Sequence, residues 1–287
     1  MKVGFIGLGM MGSGVCMNIA TKGYDVIVYD LSSTARERFR DVAEIAGDAD
    51  ELFLKSDVVL LSLPGSIQVE ETTNRFLELG VEGKAVIDIS TSFPLSSRSI
   101  YEKFKANGGE FADASLTGTP QQAKDGTLIV TFGGDRETFD KYYDLVSCFA
   151  ANFQYIGGSG AGNIAKLANN YLSIMYAALY AEIFPLVEKL DIDVENLYNI
   201  IGQSGVGCRM YQGAGKKVAL KNYEYGFALQ LALKDLTYVK QLYDAYESPS
   251  PLLDGAMGAF RTAKLKGLGP KDISELARLQ REYLKLD

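Results

Sequence analysis

Lys2-Val3-Gly4-Phe5-Ile6-Gly7-Leu8-Gly9-Met10-Met11-Gly12 is the stretch whose reading decides the fold. It opens as an apolar strand, turns through G-x-G-x-x-G and enters a predicted helix, the one context in which that glycine spacing is specific for a bound dinucleotide. Each glycine has its own reason to be there: Gly7 permits the tight turn, Gly9 lets the backbone approach a pyrophosphate, and Gly12 lets the helix pack close to the strand. The unpaired N–H groups at the helix start then face the phosphates. Gly7, Leu8, Gly9, Met10, Met11 and Gly12 are therefore the expected cofactor turn.

Outward from this turn, the second strand Val26-Ile27-Val28-Tyr29 ends in Asp30. An acidic side chain there accepts from the ribose hydroxyls of NAD and repels a 2′-phosphate, or else serves only as a strand-end cap. No arginine stands among Leu31, Ser32 and Ser33, so the expected cofactor is NAD. Further strand patterns run over Val58 to Leu63, Ala85 to Ile89, Leu128 to Phe132 and Phe153 to Ile156, alternating with amphipathic segments. That alternation predicts an α/β domain with a Rossmann-type, doubly wound, mostly parallel sheet. Leu63-Pro64 and Ser90-Thr91 close two of these strands at the edge where such sheets place ligands. Thr91 reads equally as a ligand contact or as a turn residue.

Gly157-Gly158-Ser159-Gly160-Ala161-Gly162 is the most glycine-dense run, and beyond it strand patterns give way to helical periodicity. The expected domains are 1–160, binding the nucleotide, and 161–287, all-helical, for substrate and oligomerisation. From Asn163 to about Lys189 the pattern fits one long helix despite Pro185.

Composition narrows the function classes. The 287 residues carry 29 basic and 36 acidic side chains, net charge −7, with no basic run to track a phosphate backbone, so nucleic acid is not an expected partner. The most apolar stretch, Tyr171 to Ala181, is too short to span a bilayer, and the N-terminus reads as a strand rather than a signal peptide. No membrane association and a cytoplasmic location are the expectations. Cys16, Cys148 and Cys208 lie far apart and read as buried thiols. The chain has no histidine, so no Cys/His metal spacing exists and no metal is expected. The same absence excludes Ser/His/Asp and Cys/His nucleophiles, and leaves acid/base work to Lys, Tyr, Asp, Glu or Cys.

Two lysines compete for that work. Lys166 lies in Asn163-Ile164-Ala165-Lys166-Leu167-Ala168-Asn169-Asn170, four residues before Asn170 on one helix face. Within such an apolar turn it is either a snorkelling surface residue or a partly buried amine tuned for proton transfer. The neighbouring asparagines and the helix start suit a small carboxylate. Tyr101 and Lys105 form Y-x-x-x-K, the pair of short-chain dehydrogenases, but the glycine spacing and the early position do not match. They read as an ordinary helix face.

In Phe5 to Gly12, Leu63-Pro64, Asp88 to Thr91, Asp113 to Gly118, Gly160 to Asn170 and Lys234-Asp235-Leu236, nearly the whole chain resembles the β-hydroxyacid dehydrogenases. That family includes 3-hydroxyisobutyrate dehydrogenase, tartronate semialdehyde reductase and glyoxylate/succinic semialdehyde reductase. The resemblance implies hydride transfer between NAD and a small hydroxy acid or its semialdehyde, in the cleft between the sheet domain and the long helix. It makes Lys166 the catalytic lysine. It gives substrate contacts to Thr91, Ser115, Thr117, Gly118, Thr119, Asn169 and Asn170, and cofactor contacts to Leu63, Pro64, Thr91 and Lys234. A homodimer or homotetramer joined through the helical domains is also implied. The length is short for 6-phosphogluconate dehydrogenase, and imine reductases replace the lysine. One departure stands out: the family's Pro-Val-Ser-Gly-Gly is Ser115-Leu116-Thr117-Gly118-Thr119 here. Thr119 puts a branched side chain where bare backbone binds the acid, or else merely supports a turn. A sulfonated substrate, as in relatives resembling sulfolactaldehyde reductase, and a catalytically silent NAD-binding scaffold are the two alternatives.

Overall fold

The computed structural model describes residues 1–286. Its strands are Lys2–Ile6 (β1), Asp25–Tyr29 (β2), Glu44–Ile45 (β3), Val58–Leu61 (β4), Ala85–Asp88 (β5), Glu110–Thr117 (β6), Leu128–Gly133 (β7) and Ala150–Gly157 (β8). They form one sheet in the order β3-β2-β1-β4-β5-β6-β7-β8, parallel except where β6 meets β7. This is the doubly wound, mostly parallel sheet that the alternating pattern demands. Val26 and Val28 join the hydrophobic layer on one face while Ile27 joins the layer on the other. Central parallel strands are buried on both faces and so read as unbroken Val/Ile/Leu runs.

Two elements lie outside the strands expected from pattern, the short β3 and the eight-residue β6. β6 is Glu110-Phe111-Ala112-Asp113-Ala114-Ser115-Leu116-Thr117, whose Ala, Asp and Ser have low strand preference. Its neighbours β5 and β7 hold it extended through paired backbone groups. The strands over Val58 and Ala85 stop at Leu61 and Asp88, short of Leu63 and Ile89, which leaves those residues in the loops at the ligand-binding edge.

The chain separates into two compact units, Met1–Lys166 and Leu167–Asp287. The division falls inside the long helix Ala161–Lys189, which runs through Pro185. One missing N–H is tolerated there because the rest of the helix remains bonded and packed. The described residues of the second unit form helices, with a single isolated bridge between Ala228 and Asp272. Leu167, Ile174, Ala177, Ala181 and Phe184 supply the long helix's share of that unit's core, at the i, i+3, i+4 spacing of one helix face. Among the described residues no helix is long and apolar enough to cross a membrane. Cys16 and Cys148 are buried as expected, whereas Cys208 is half-exposed.

Candidate active site

The glycine turn has the geometry its sequence calls for. Gly7 adopts φ +98°, and a Cβ on it would lie 2.1 Å from the Ser62 carbonyl oxygen. A Cβ on Gly12 would lie 2.0 Å from the Gly7 carbonyl oxygen, so this helix start tolerates no side chain. Gly9 differs, because a Cβ there would meet nothing within 4 Å. The helix Gly12–Thr21 has no side-chain cap and no acidic residue in its first turn. Open space over Gly9 beside an uncapped helix N-terminus is what a pyrophosphate needs, so these residues fit a dinucleotide.

Asp30 stands at the end of β2. Its Oδ2 accepts from the Leu8 N–H at 2.7 Å and its Oδ1 from the Ser32 N–H at 2.8 Å. Each oxygen keeps a second lone pair for a ribose hydroxyl. Arg38 also reaches this turn, its Nη2 donating to the Leu8 carbonyl at 3.3 Å. Sequence reading missed that cation, since only the short helix Ser33–Glu37 folds it back onto the glycine turn. On the other side, the Leu63 N–H donates to the Ser90 Oγ at 2.8 Å and Ser90 donates to the Leu61 carbonyl at 3.2 Å. Leu63-Pro64 and Thr91 are thereby held at the ends of adjacent strands, with Thr91 half-buried.

Lys166 lies half-buried in the opening turns of the long helix. The residues that hold those turns were not singled out from sequence. Asp113, fully buried in β6, accepts from the Gly160 N–H at 2.6 Å and the Asn163 N–H at 2.7 Å. Burial pushes its carboxyl up to about 7, against the two backbone hydrogen bonds that favour ionisation, with Asp88 next to it in the sheet adding repulsion. Asn163, also fully buried, accepts from the Ser92 N–H and from Ser115 Oγ, both at 2.9 Å. The Ser115 hydroxyl is thus committed to Asn163 inside the protein. Gly160, φ +85°, closes the turn where a Cβ would lie 2.8 Å from the Pro94 carbonyl oxygen, so the glycine run serves close packing.

In the second unit Asn170 is nine-tenths buried and donates to Asp235 Oδ2 at 2.7 Å, while Lys234 Nζ lies 3.5 Å from Asp235 Oδ1. Asp235, itself buried, therefore joins two expected site residues that stand far apart in sequence. Asn169 is exposed and donates to Asn170 Oδ1 at 3.2 Å.

Thr117 closes β6 half-buried, and Gly118, exposed at φ +148°, leads to Thr119. Thr119 caps the helix Pro120–Asp125. Its Oγ1 accepts from the Gln122 N–H at 3.2 Å and its N–H donates to Gln122 Oε1 at 3.0 Å, a reciprocal capping box. The competing pair is a surface cluster: Tyr101 OH donates to Asp135 at 2.6 Å and Lys105 donates to Tyr101 OH at 2.5 Å. Those bonds account for the pair as structure.

Comparison with known proteins agrees with this architecture. Residues 2–157 match the model for the NAD binding domain of 6-phosphogluconate dehydrogenase, and residues 160–280 match the NAD-binding region of NADP-dependent 3-hydroxyisobutyrate dehydrogenase. The chain is 31% identical to mitochondrial 3-hydroxyisobutyrate dehydrogenase of Bos taurus, over 98% of this chain and 87% of that protein. It is 26% identical to 2-hydroxy-3-oxopropionate reductase of Escherichia coli K12, over 97% and 96% of the two chains. A solved 3-hydroxyisobutyrate dehydrogenase of Mycobacterium tuberculosis, with L-serine, shares the fold at TM-score 0.89 and 24% identity, over 98% and 99%. With matches along nearly its whole length and a turn shaped for a nicotinamide dinucleotide, the chain belongs to the β-hydroxyacid dehydrogenase family of NAD(P)-dependent oxidoreductases.

Proposed function

We propose that the protein interconverts a small 3-hydroxy acid and its semialdehyde with NAD, using Lys166 as the general acid/base. One observation carries this reading. Asn163, one turn before Lys166, bonds the Ser92 N–H directly after Thr91, so the lysine-bearing helix begins at the strand edge that also presents the glycine turn. When bound, the nicotinamide donates or accepts the hydride at the reacting carbon. In the reducing direction Lys166 gives a proton to the oxygen as the C=O electron pair collapses onto it, and solvent reprotonates the amine. In the oxidising direction the amine takes that proton. The cofactor is assigned to domain 1–160 and the substrate to residues near Lys166. Thr91, Thr117, Gly118, Asn169 and Asn170 are the proposed contacts, with Thr119 shaping the acid-binding corner and Ser115 acting through its bond to Asn163.

Asp30 supports NAD over NADP, because its carboxylate, held at the end of β2 by two backbone N–H groups, would accept from ribose hydroxyls and repel a 2′-phosphate. Association of copies through the helical unit is supported by the long helix itself. Leu172, Tyr176, Leu179, Ile183 and Leu186 are all exposed at alternating spacings of four and three, an apolar seam suited to another helix. Light scattering that returns a monomer would refute that assignment.

The test of the central reading is Lys166→Ala assayed over 3-hydroxyisobutyrate, tartronate semialdehyde, succinic semialdehyde, glyoxylate and sulfolactaldehyde. Turnover on the best substrate should fall by roughly a hundred- to ten-thousand-fold, the usual worth of general acid/base catalysis, while NADH binding persists. Turnover within a fewfold of wild type removes Lys166 from the role.

A further inference from the structure

The start of the long helix is held more elaborately than a helix end requires. A single local Ser, Thr or Asp normally satisfies the first free N–H groups. Here the cap is Asp113, fifty positions away from Asn163, accepting from Gly160 and Asn163. Asn163 then adds three bonds of its own. Its Oδ1 takes the Ser92 N–H after β5 and the Ser115 hydroxyl of β6, and its Nδ2 donates to Ser97 Oγ at 3.1 Å on the helix Pro94–Ala106. Ser92 passes the link on, its Oγ donating to Asp88 Oδ2 at 2.6 Å. The backbone sits equally close: a Cβ on Gly162 would lie 2.5 Å from the Thr131 carbonyl oxygen and 2.6 Å from that of Asp113.

A cap fixes where a helix begins, but bonds from one side chain to three separate segments also fix its rotation about its own axis. That rotation matters for Lys166, one turn further on. An extended lysine carries its amine about 8 Å from the helix axis, so a twist of about 10° displaces it by about 1.4 Å. Misplacement by about 1 Å is enough to cost on the order of a hundredfold in rate.

We propose that Asn163 is a positioning residue for the reaction, setting the azimuth of the long helix so that the Lys166 amine meets the substrate oxygen. This rests on Lys166 being the acid/base group. The experiment is a double-mutant cycle between Asn163→Ala and Lys166→Ala, with thermal melting and NADH affinity measured on every variant. Asn163→Ala alone should lower kcat roughly ten- to a hundredfold with NADH affinity within about twofold. Asn163→Gln, which keeps the amide, should recover part of the loss. In the Lys166→Ala background Asn163→Ala should cost nothing further, because the group it positions has gone.

Wild-type kcat in a folded Asn163→Ala, or an equal loss with and without Lys166, overturns this proposal and leaves the role of Lys166 standing. Lys166→Ala that retains turnover within a fewfold overturns both. Should Asn163→Ala fail to fold, Ser97→Ala removes the Nδ2 acceptor, together with a long bond to the Phe93 carbonyl, and goes through the same cycle. A smaller kcat loss that vanishes in the Lys166→Ala background is expected, and undiminished loss there refutes the inference.

Discussion

Gly9→Ala and Gly12→Ala separate what the glycine turn does for folding from what it does for the cofactor. A Cβ at residue 9 meets nothing within 4 Å, and Gly9 is not among the residues at positive φ. The methyl group therefore enters open space on an unstrained backbone. Restricting the unfolded chain should then leave stability unchanged or raise it by about 0.4–1 kcal/mol. That same space is where a pyrophosphate would approach the turn. Filling it pushes the phosphates away from the helix start and loses charge-assisted hydrogen bonds worth about 1.5–3 kcal/mol, roughly ten- to a hundredfold in NADH affinity. At residue 12 the added Cβ would lie 2.0 Å from the Gly7 carbonyl oxygen, well inside contact distance, so backbone must move. Gly12→Ala should lower the melting temperature by several degrees, as overpacking by about 1–3 kcal/mol does in a domain of this size. NADH fluorescence titration and thermal melting on the same preparations decide. Wild-type NADH affinity in a stable Gly9→Ala would mean the dinucleotide does not lie over this turn, and a Gly12→Ala as stable as wild type would refute the packing argument.

Asp30→Ala should relax the preference for NAD by roughly ten- to a hundredfold in kcat/KM, since it removes the carboxylate and leaves the Arg38 guanidinium bonded at the same turn. Equal wild-type efficiency with NAD and NADP contradicts the assignment. Thr119→Gly should cost only a few tenths of a kcal/mol in stability, the usual price of replacing such an N-cap by glycine, yet raise activity on glyoxylate or succinic semialdehyde relative to the native substrate by about 1–3 kcal/mol. An unchanged ratio leaves Thr119 as a cap alone. Asp113 predicts a pH dependence of stability. Its carboxyl is raised from 3.8 to about 7, so the folded chain keeps a proton that the unfolded chain gives up. The contribution is whole below about pH 4 and is lost as pH rises through 7, about 4 kcal/mol in all at 1.36 kcal/mol per pH unit. Urea midpoints from pH 4 to 8 should therefore be flatter for Asp113→Asn than for wild type, and parallel curves would refute it.

The sequence by itself determined the fold class and pointed to a cofactor turn and to Lys166. Strand runs such as Val58 to Leu61 report a strand buried on both faces, and the spacing of Gly7, Gly9 and Gly12 reports a turn without side chains, each written within a few consecutive residues. The family resemblance supplied Lys166, whose exposure and neighbours a local pattern leaves open. Only the tertiary structure decided the rest. β6 is invisible to propensity because Ala112, Asp113 and Ala114 are extended by their neighbours in the sheet. Arg38 reaches the Leu8 carbonyl of the glycine turn only because a short helix folds it back there. Thr119 reads as either a pocket residue or a turn residue, and only the fold reveals the capping box it closes with Gln122. Asp113 caps a helix that starts after two further strands, and Asp235 accepts from Asn170 across sixty-five positions. Hydrogen bonds between buried polar groups so far apart follow no periodicity, since their partners are chosen by where the packed backbone brings each chain segment rather than by spacing along it.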